Sequence, residues 1–184
     1  MTTKLTMDFR SPLPAGWSEL DRVVQEQYWE IFEGRYGFRP GIDSETWPAI
    51  IEPSPSITFD VSADPIRTKS SAAARVDAVN AEALRCFVTE FADDPTFVVL
   101  DWQHRCYRFD ANAHAAAMEH AEWRVPVYPN GDYYIFGRDN FSEGTFGHPW
   151  EQTLCVYGPR MVATLGRTLA TWLPTLRTNG HPID

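Results

Sequence analysis

A chain of 184 residues with a formal net charge of -9 has the length of one ordinary domain. Hydrophobic residues make up 43% of it and aromatic residues 14%, a composition that argues against intrinsic disorder. Because 25 acidic residues face 16 basic ones, the surface repels phosphate backbones and anionic lipids, and we expect no nucleic-acid partner and no membrane partner. A basic protein partner is compatible with this charge.

The first half of the chain contains two predicted helices and one predicted strand. A helix-start signal at Ser18 is followed by apolar residues at helical spacing to about Arg35. A proline-rich loop covers residues 37–55, and residues 56–61 alternate as a strand. Residues 70–91 carry an apolar stripe with charges on the opposite face, which predicts the second helix.

The second half of the chain is predicted to be mainly sheet. Asn130 and Gly131 form a strong hairpin signal. The alanine-rich stretch 111–122 is either a short helix or a loop. Gly158 and Pro159 open a final helix, whose buried face is expected to include Trp172. The predicted strands cover residues 97–109, 124–128, 132–136, 144–147 and 153–157.

The order of these elements predicts an α+β fold, with a mainly antiparallel sheet (a meander of about five strands) packed by three helices. Nothing resembling a linker divides the chain, so residues 1–184 are expected to form a single domain. The first residues lack the apolar stretch of a signal peptide, and no apolar run reaches the length that spans a bilayer. Three cysteines are too few for a disulfide framework. We therefore expect a cytoplasmic protein.

Two short motifs point to a candidate site. Asp101-Trp102-Gln103-His104 and His148-Pro149-Trp150-Glu151 each place one imidazole and one carboxylate three residues apart, with a tryptophan between them. Imidazole and carboxylate groups transfer protons near neutral pH, and tryptophan excludes water around them. The four candidate catalytic residues are therefore Asp101, His104, His148 and Glu151.

Turn and strand geometry rank the two motifs. Proline in the second place of His148–Glu151 favours a type I turn, which brings His148 and Glu151 close enough for the carboxylate to orient the imidazole. We expect His148 to act as general base or acid in that pair. In a regular strand, Asp101 and His104 lie on opposite faces, and they converge only if a bulge or tight bend intervenes. One of them is then expected to reach the same cavity.

Aromatic and basic residues near the two motifs are candidate ligand contacts. Arg105 or Arg138 is suited to bind an anionic group. The opposing interpretation is that the histidines bond to backbone groups and that the tryptophans belong to the core. The aromatic residues expected to line the cavity are Trp102, Tyr133, Tyr134 and Trp150.

A metal site is the next alternative. His104, His148 and one carboxylate would suit zinc or non-heme iron. The two histidines lie 44 residues apart in the sequence, and no HExxH-like spacing places them on one face. We therefore assign no metal ligands and expect no cofactor.

Three segments of the chain carry a family resemblance. They are Leu100–Tyr107, Tyr128–Phe136 and Gly144–Val156, all within a core of about residues 97–158. On these segments the chain resembles the bacterial family catalogued as domain of unknown function 2716. The family has no assigned activity, so the resemblance implies a shared fold unit and no mechanism.

Two function classes compete beside that of a metal-dependent enzyme using His104 and His148. One is a small protein that binds a small molecule in an aromatic-lined pocket and acts on it through His148 and Glu151. The other is an acidic interaction protein, such as an immunity protein that neutralises a toxin by covering a basic surface. The sequence determines neither the ligand nor the oligomeric state.

Overall fold

The computed structural model describes residues 12–62, 69–117 and 122–183. Within these ranges lies one nine-stranded sheet, in which every neighbouring pair of strands is antiparallel. In chain order the strands are β1 (Trp17–Glu19), β2 (Ser56–Asp60), β3 (Thr96–Asp101), β4 (Tyr107–Asp110), β5 (Tyr134–Gly137), β6 (Gly144–His148), β7 (Thr153–Tyr157), β8 (Thr175–Thr178) and β9 (His181–Pro182). Their order across the sheet is β1-β4-β3-β5-β6-β7-β2-β8-β9.

Four helices accompany the sheet in the described part of the chain. They are α1 (Arg22–Tyr36), α2 (Lys69–Glu90), α3 (Ala111–Ala116) and α4, residues 159–169, which runs as Pro159–Met161, the π-helical turn Val162–Gly166 and Arg167–Leu169. None of the described helices is long and apolar enough to cross a bilayer. The predicted α+β class and the antiparallel sheet are confirmed, whereas the predicted five strands and three helices understate the architecture.

The ends of α1 follow from its sequence. The Asp21 side chain accepts a hydrogen bond from the Val23 backbone amide at 2.9 Å, which caps the first turn. At the other end Gly37 takes a left-handed conformation with φ of 59°, and its amide bonds back to the Glu33 carbonyl. The helix therefore starts four residues after the predicted signal at Ser18, because residues 17–19 form β1.

Two hydrophobic layers lie on the two faces of the sheet. Because successive strand residues point to opposite faces, Val98 and Leu100 pack on the α1 side, while Phe97 and Val99 pack on the α2 side. The α1 layer includes Phe32, Ile135, Phe146 and Tyr157. The α2 layer includes Val79, Phe87, Phe136, Leu154 and Met161, so that α4 also belongs to it.

The two ends of the chain add strands that the sequence analysis did not predict. β1 pairs with β4 at one edge of the sheet, and β8 pairs with β2 near the other. β8 and β9 form a hairpin around Asn179 and Gly180, whose φ angles are 53° and 76°. Trp172, predicted to be buried on the last helix, lies beyond the end of α4 and is 42% exposed.

The central region differs from the predicted meander in two places. The predicted strand 97–109 is two strands, β3 and β4, which pair with each other. The predicted strand 124–128 is absent, and residues 122–133 run without regular structure to the start of β5. Of the alanine-rich stretch, residues 111–116 are helical as α3, and residues 118–121 lie outside the described ranges.

All three cysteines are buried and free. Cys86 lies on α2, Cys155 lies on β7, and Cys106 immediately precedes β4. Burial raises the pKa of the Cys86 thiol, that of Cys106 to about 11 and that of Cys155 to about 12. The thiols are therefore protonated and packed as small apolar groups in the native protein.

Candidate functional site

Three connections meet at one end of the sheet. They are the turn between β3 and β4, the irregular segment before β5, and the turn between β6 and β7. The register places Asp101 opposite Tyr134, and Tyr134 opposite Gly147. All the predicted site residues except Arg138 lie on or beside these connections.

Asp101 and His104 form a direct pair. β3 ends at Asp101, and a tight turn follows in which the His104 amide donates to the Asp101 carbonyl at 3.1 Å and Gln103 has a φ of 63°. This is the bend required for the two side chains to converge. His104 Nδ1 lies 3.1 Å from Asp101 Oδ1, and the imidazole is 61% exposed.

A second carboxylate, which the sequence analysis did not single out, joins this pair. Asp132 Oδ2 lies 3.6 Å from His104 Nδ1, and Asp132 Oδ1 accepts the Tyr133 amide at 2.8 Å. One ligand atom from each of Asp101, His104 and Asp132 lies within 4.8 Å of the other two. The sequence carried one signal for this residue, an aspartate directly after Asn130-Gly131 and before β5.

The electrostatics of the pair are set mainly by burial. Burial raises the pKa of Asp101 to about 6, although the nearby His104 favours the ionised carboxylate and opposes that rise. Asp132 adds a smaller upward effect on Asp101, and its own pKa is raised by burial. A carboxyl group with this pKa is present in both protonation states near pH 6.

His148 occupies a different environment. Its side chain is fully buried, and Nδ1 accepts the Glu151 backbone amide at 3.0 Å. Because Nδ1 is an acceptor, the neutral ring carries its proton on Nε2, which faces Tyr133 Oη at 3.4 Å. Burial lowers the pKa of His148 to about 4, so that the ring is neutral at physiological pH.

The Glu151 carboxylate does not reach the imidazole of His148. The predicted turn forms, but it is the backbone amide of Glu151 that contacts His148. The carboxylate instead binds the Arg177 guanidinium through two bonds, of 2.7 Å and 3.0 Å, and accepts the Thr153 hydroxyl at 2.7 Å. The structure therefore does not bring the Glu151 carboxylate into contact with the His148 ring, because Arg177 of β8 provides a stronger partner.

The Arg177 guanidinium joins two acidic side chains under the β6–β7 turn. It also donates from Nε to Glu52 Oε1 at 2.9 Å, and Glu52 accepts the Thr58 hydroxyl at 2.9 Å. The side chains of Arg177, Glu52 and Glu151 are 15%, 2% and 11% exposed. We call this group the Arg177 triad.

Protonation of His148 is expected to oppose folding at acid pH. Its pKa of about 4 in the native protein lies below the value of about 6.5 of an unfolded histidine. Stability from the neutral ring is therefore complete above pH 6.5 and is lost as the pH falls from 6.5 to 4, at up to about 1.4 kcal/mol per pH unit. Asp101, whose native pKa is raised, acts in the opposite direction over this window.

Urea unfolding of the wild type and of His148→Asn between pH 4 and 7 isolates the histidine contribution, since both proteins keep Asp101. The asparagine oxygen can replace Nδ1 as acceptor of the Glu151 amide. We expect the variant to be less stable at pH 7 and to lose less further stability on acidification. Parallel pH profiles of the two proteins would contradict this assignment.

The predicted aromatic residues divide between the two faces of the sheet. Trp102, Tyr133 and Trp150 cluster with His148 on the α1 face. The centroid of the Tyr133 ring lies 5.7 Å from that of Trp102 and 5.0 Å from that of Trp150. Tyr134 belongs to the α2 face, as does Phe136 two residues later on β5, whereas Ile135 between them lies on the α1 face. The alternation of strand side chains therefore separates the aromatic group from Tyr134.

The two predicted arginines lie at different ends of the sheet. Arg105 is near Asp101 and pairs with Glu19 at 2.5 Å. Arg138 follows β5 at the opposite end, where it pairs with Asp94 and donates to the Thr96 carbonyl at 2.6 Å. Arg138 is thus not brought together with the other predicted site residues.

The structure does not support the predicted metal site built from both His104 and His148. His148 uses Nδ1 for a backbone amide and directs Nε2 at Tyr133, so that both ring nitrogens face groups of the protein itself. His104 instead lies beside Asp101 and Asp132. The described residues therefore offer a one-histidine, two-carboxylate set in place of a set containing both histidines.

Together the fold and these contacts define an α+β protein with an imidazole–carboxylate pair at one end of an antiparallel sheet. The chain belongs to the family described as protein of unknown function (DUF2716), whose model matches residues 19–162. It is similar to the uncharacterized protein YxiI of Bacillus subtilis (strain 168), with 30% identity over 155 residues, covering 81% of this chain and 91% of that protein. No solved structure matches it. The predicted family resemblance is confirmed.

Proposed function

We propose that this protein binds a small molecule beside Asp101 and His104 and exchanges protons with it through these two side chains. The observation that carries the proposal is their contact, 3.1 Å between Asp101 Oδ1 and His104 Nδ1, at a sheet end where the imidazole is 61% exposed. An exposed imidazole held by a carboxylate is suited to general acid–base chemistry. This replaces His148 and Glu151 as the working pair.

The titration of Asp101 supports the same assignment. A general acid or base works best when its pKa lies near the operating pH, and burial brings Asp101 to about 6. His104 is the more exposed member of the pair, and Asp132 Oδ2 lies 3.6 Å from the same imidazole nitrogen. The His104 ring is therefore open to a ligand, and two carboxyl groups lie beside its Nδ1.

The test measures proton transfer on a bound compound. A thermal-shift screen against a library of metabolites selects compounds that stabilise the wild type, and each is then incubated with the protein in D₂O while proton NMR follows loss of its C–H signals. We expect exchange to be catalysed by the wild type and to fall about 100-fold or more in Asp101→Asn and in His104→Gln. Asp77→Asn makes the same charge change on an exposed part of α2 and is expected to keep the wild-type rate.

Equal exchange rates in the wild type and Asp101→Asn would overturn the proposal. A carboxyl-carbon NMR titration of Asp101 checks the pair without any ligand. Because His104 lowers the Asp101 pKa and Asp132 raises it, His104→Gln is expected to move that midpoint upward and Asp132→Asn to move it downward.

A divalent cation is the second candidate ligand at this position. The observation in its favour is that one atom each of Asp101, His104 and Asp132 lies within 4.8 Å of the others. One imidazole and two carboxylates suit zinc or manganese. Repeating the exchange assay after chelation, and again after adding Zn²⁺ or Mn²⁺, separates the candidates, because proton transfer by the pair alone is insensitive to both treatments.

A further inference from the structure

We propose that an oxyanion group, carboxylate or phosphate, binds to Arg124 in the groove beside the Asp101–His104 pair. The inference rests on the proposed function and specifies its ligand as an acidic small molecule. It starts from a groove of about 850 Å³ on the α2 face of the sheet. Its lining includes Glu19, Arg105, Tyr107, Glu122, Trp123 and Arg124.

The neutral side chain of Tyr107 holds the guanidinium of Arg124 in place. Its Nε donates to Tyr107 Oη at 2.9 Å, and its central carbon lies 5.6 Å from the centroid of the Tyr107 ring. Tyr107 is itself buried, on the β4 strand that pairs with β1 and β3. The two terminal nitrogens are thus positioned by a fixed ring before any ligand arrives.

The positive charge of Arg124 is available to a ligand. Among the described residues, no carboxylate forms an ion pair with Arg124, whereas Arg105 in the same groove pairs with Glu19 at 2.5 Å. Glu122 adds an exposed negative charge at the rim. A rigid guanidinium edge presents parallel N–H groups that match the geometry of carboxylate and phosphate oxygens.

The groove and the Asp101–His104 pair lie at the same end of the sheet. Arg105, which directly follows His104 in the chain, lines the groove together with Tyr107, the first residue of β4, and β4 pairs with β3 close to the end of β3 at Asp101. A ligand whose acidic group binds Arg124 is therefore expected at the same end of the sheet as the Asp101–His104 pair. The ring of Trp123, also in the groove, supplies an apolar wall for the rest of such a ligand.

Phosphate and succinate titrations test this inference. Nitrogen-15 NMR follows the Arg124 Nε–H and the Trp123 indole N–H as sodium phosphate or sodium succinate replaces sodium chloride at constant ionic strength. We expect saturable shifts of both signals in the wild type. In Arg124→Gln the midpoint, read from Trp123, is expected to rise about tenfold or more. Arg124→Lys keeps the charge but loses the parallel N–H edge and is expected to fall between the two.

The control is Arg39→Gln, which removes the same charge from an exposed residue of the 37–55 loop and is expected to bind the probes as the wild type does. Shifts that do not saturate, or an equal midpoint in Arg124→Gln, overturn the inference. Saturable binding by succinate alone or phosphate alone assigns the acidic group of the ligand. Because Asp101→Asn is expected to retain anion binding while losing proton exchange, failure of this inference is distinguishable from failure of the proposed function.

Discussion

Replacing Arg177 by alanine is expected to lower the free energy of unfolding by about 3–5 kcal/mol. The substitution leaves the Glu52 and Glu151 carboxylates, which are 2% and 11% exposed, next to each other without their common cation. Within the described part of the chain, each carboxylate then keeps only a threonine hydroxyl as donor, which does not offset the desolvation of a buried charge. Urea unfolding followed by tryptophan fluorescence measures the loss.

Arg22→Ala provides the matched control for this prediction. Arg22 pairs with Glu26 on α1 at 2.9 Å, but the two side chains are 87% and 59% exposed. Solvent screens such a pair, and we expect a loss of no more than about 0.5 kcal/mol. If the two variants lose similar stability, the Arg177 triad contributes no more than a surface ion pair.

The second large effect is expected at Asn80, where replacement by alanine should lower the free energy of unfolding by about 2–4 kcal/mol. Asn80 is a buried residue of α2, 4% exposed. Its side-chain oxygen accepts the backbone amides of Val127 and Tyr128, at 2.9 Å and 3.2 Å. Alanine leaves the buried Val127 amide and the half-buried Tyr128 amide without that acceptor.

Thr89→Ala is the control on the same helix. The Thr89 hydroxyl is exposed and bonds to the Arg85 carbonyl of its own helix at 2.8 Å, so that its removal is expected to change stability by less than about 0.5 kcal/mol. Urea unfolding of both variants gives the comparison. An Asn80→Ala protein as stable as Thr89→Ala would show that the Val127 and Tyr128 amides find other partners.

Asn80 also explains why one strand was predicted wrongly. Val125 and Val127 are buried and alternate with less buried residues, which is the pattern of a strand. The backbone amide of Val127, however, bonds to a side chain of α2 instead of a neighbouring strand. That side chain comes from a residue 47 positions earlier in the sequence, and a local pattern does not contain this information.

The two Asn-Gly pairs show how far turn chemistry predicts a hairpin. Asn130-Gly131 carries the signal but is not followed by a hairpin, since neither residue has a positive φ. Asn179-Gly180 does form one, and its flanking strands are only four and two residues long. Short strands leave too few residues for their alternation to be recognised, so the second hairpin was missed.

Helices and chain order were predictable, whereas the partners of the site residues were not. The spacing of apolar residues placed α1 and α2 to within a few residues, because each buries one continuous face. The sequence analysis ranks the Asp101–His104 and His148–Glu151 motifs by local turn geometry. Local geometry contains no information on Arg177 of β8, which binds Glu151, or on Asp132, which lies beside His104. Both partners come from distant positions in the chain.

The three buried thiols report local opening of the folded protein. A protonated, enclosed sulfur does not react with alkylating reagents, so modification requires the surrounding structure to open first. Cys86 belongs to the α2 layer, while Cys106 and Cys155 belong to the α1 layer. The order in which the three sulfurs become modified therefore reports which side of the sheet loosens first.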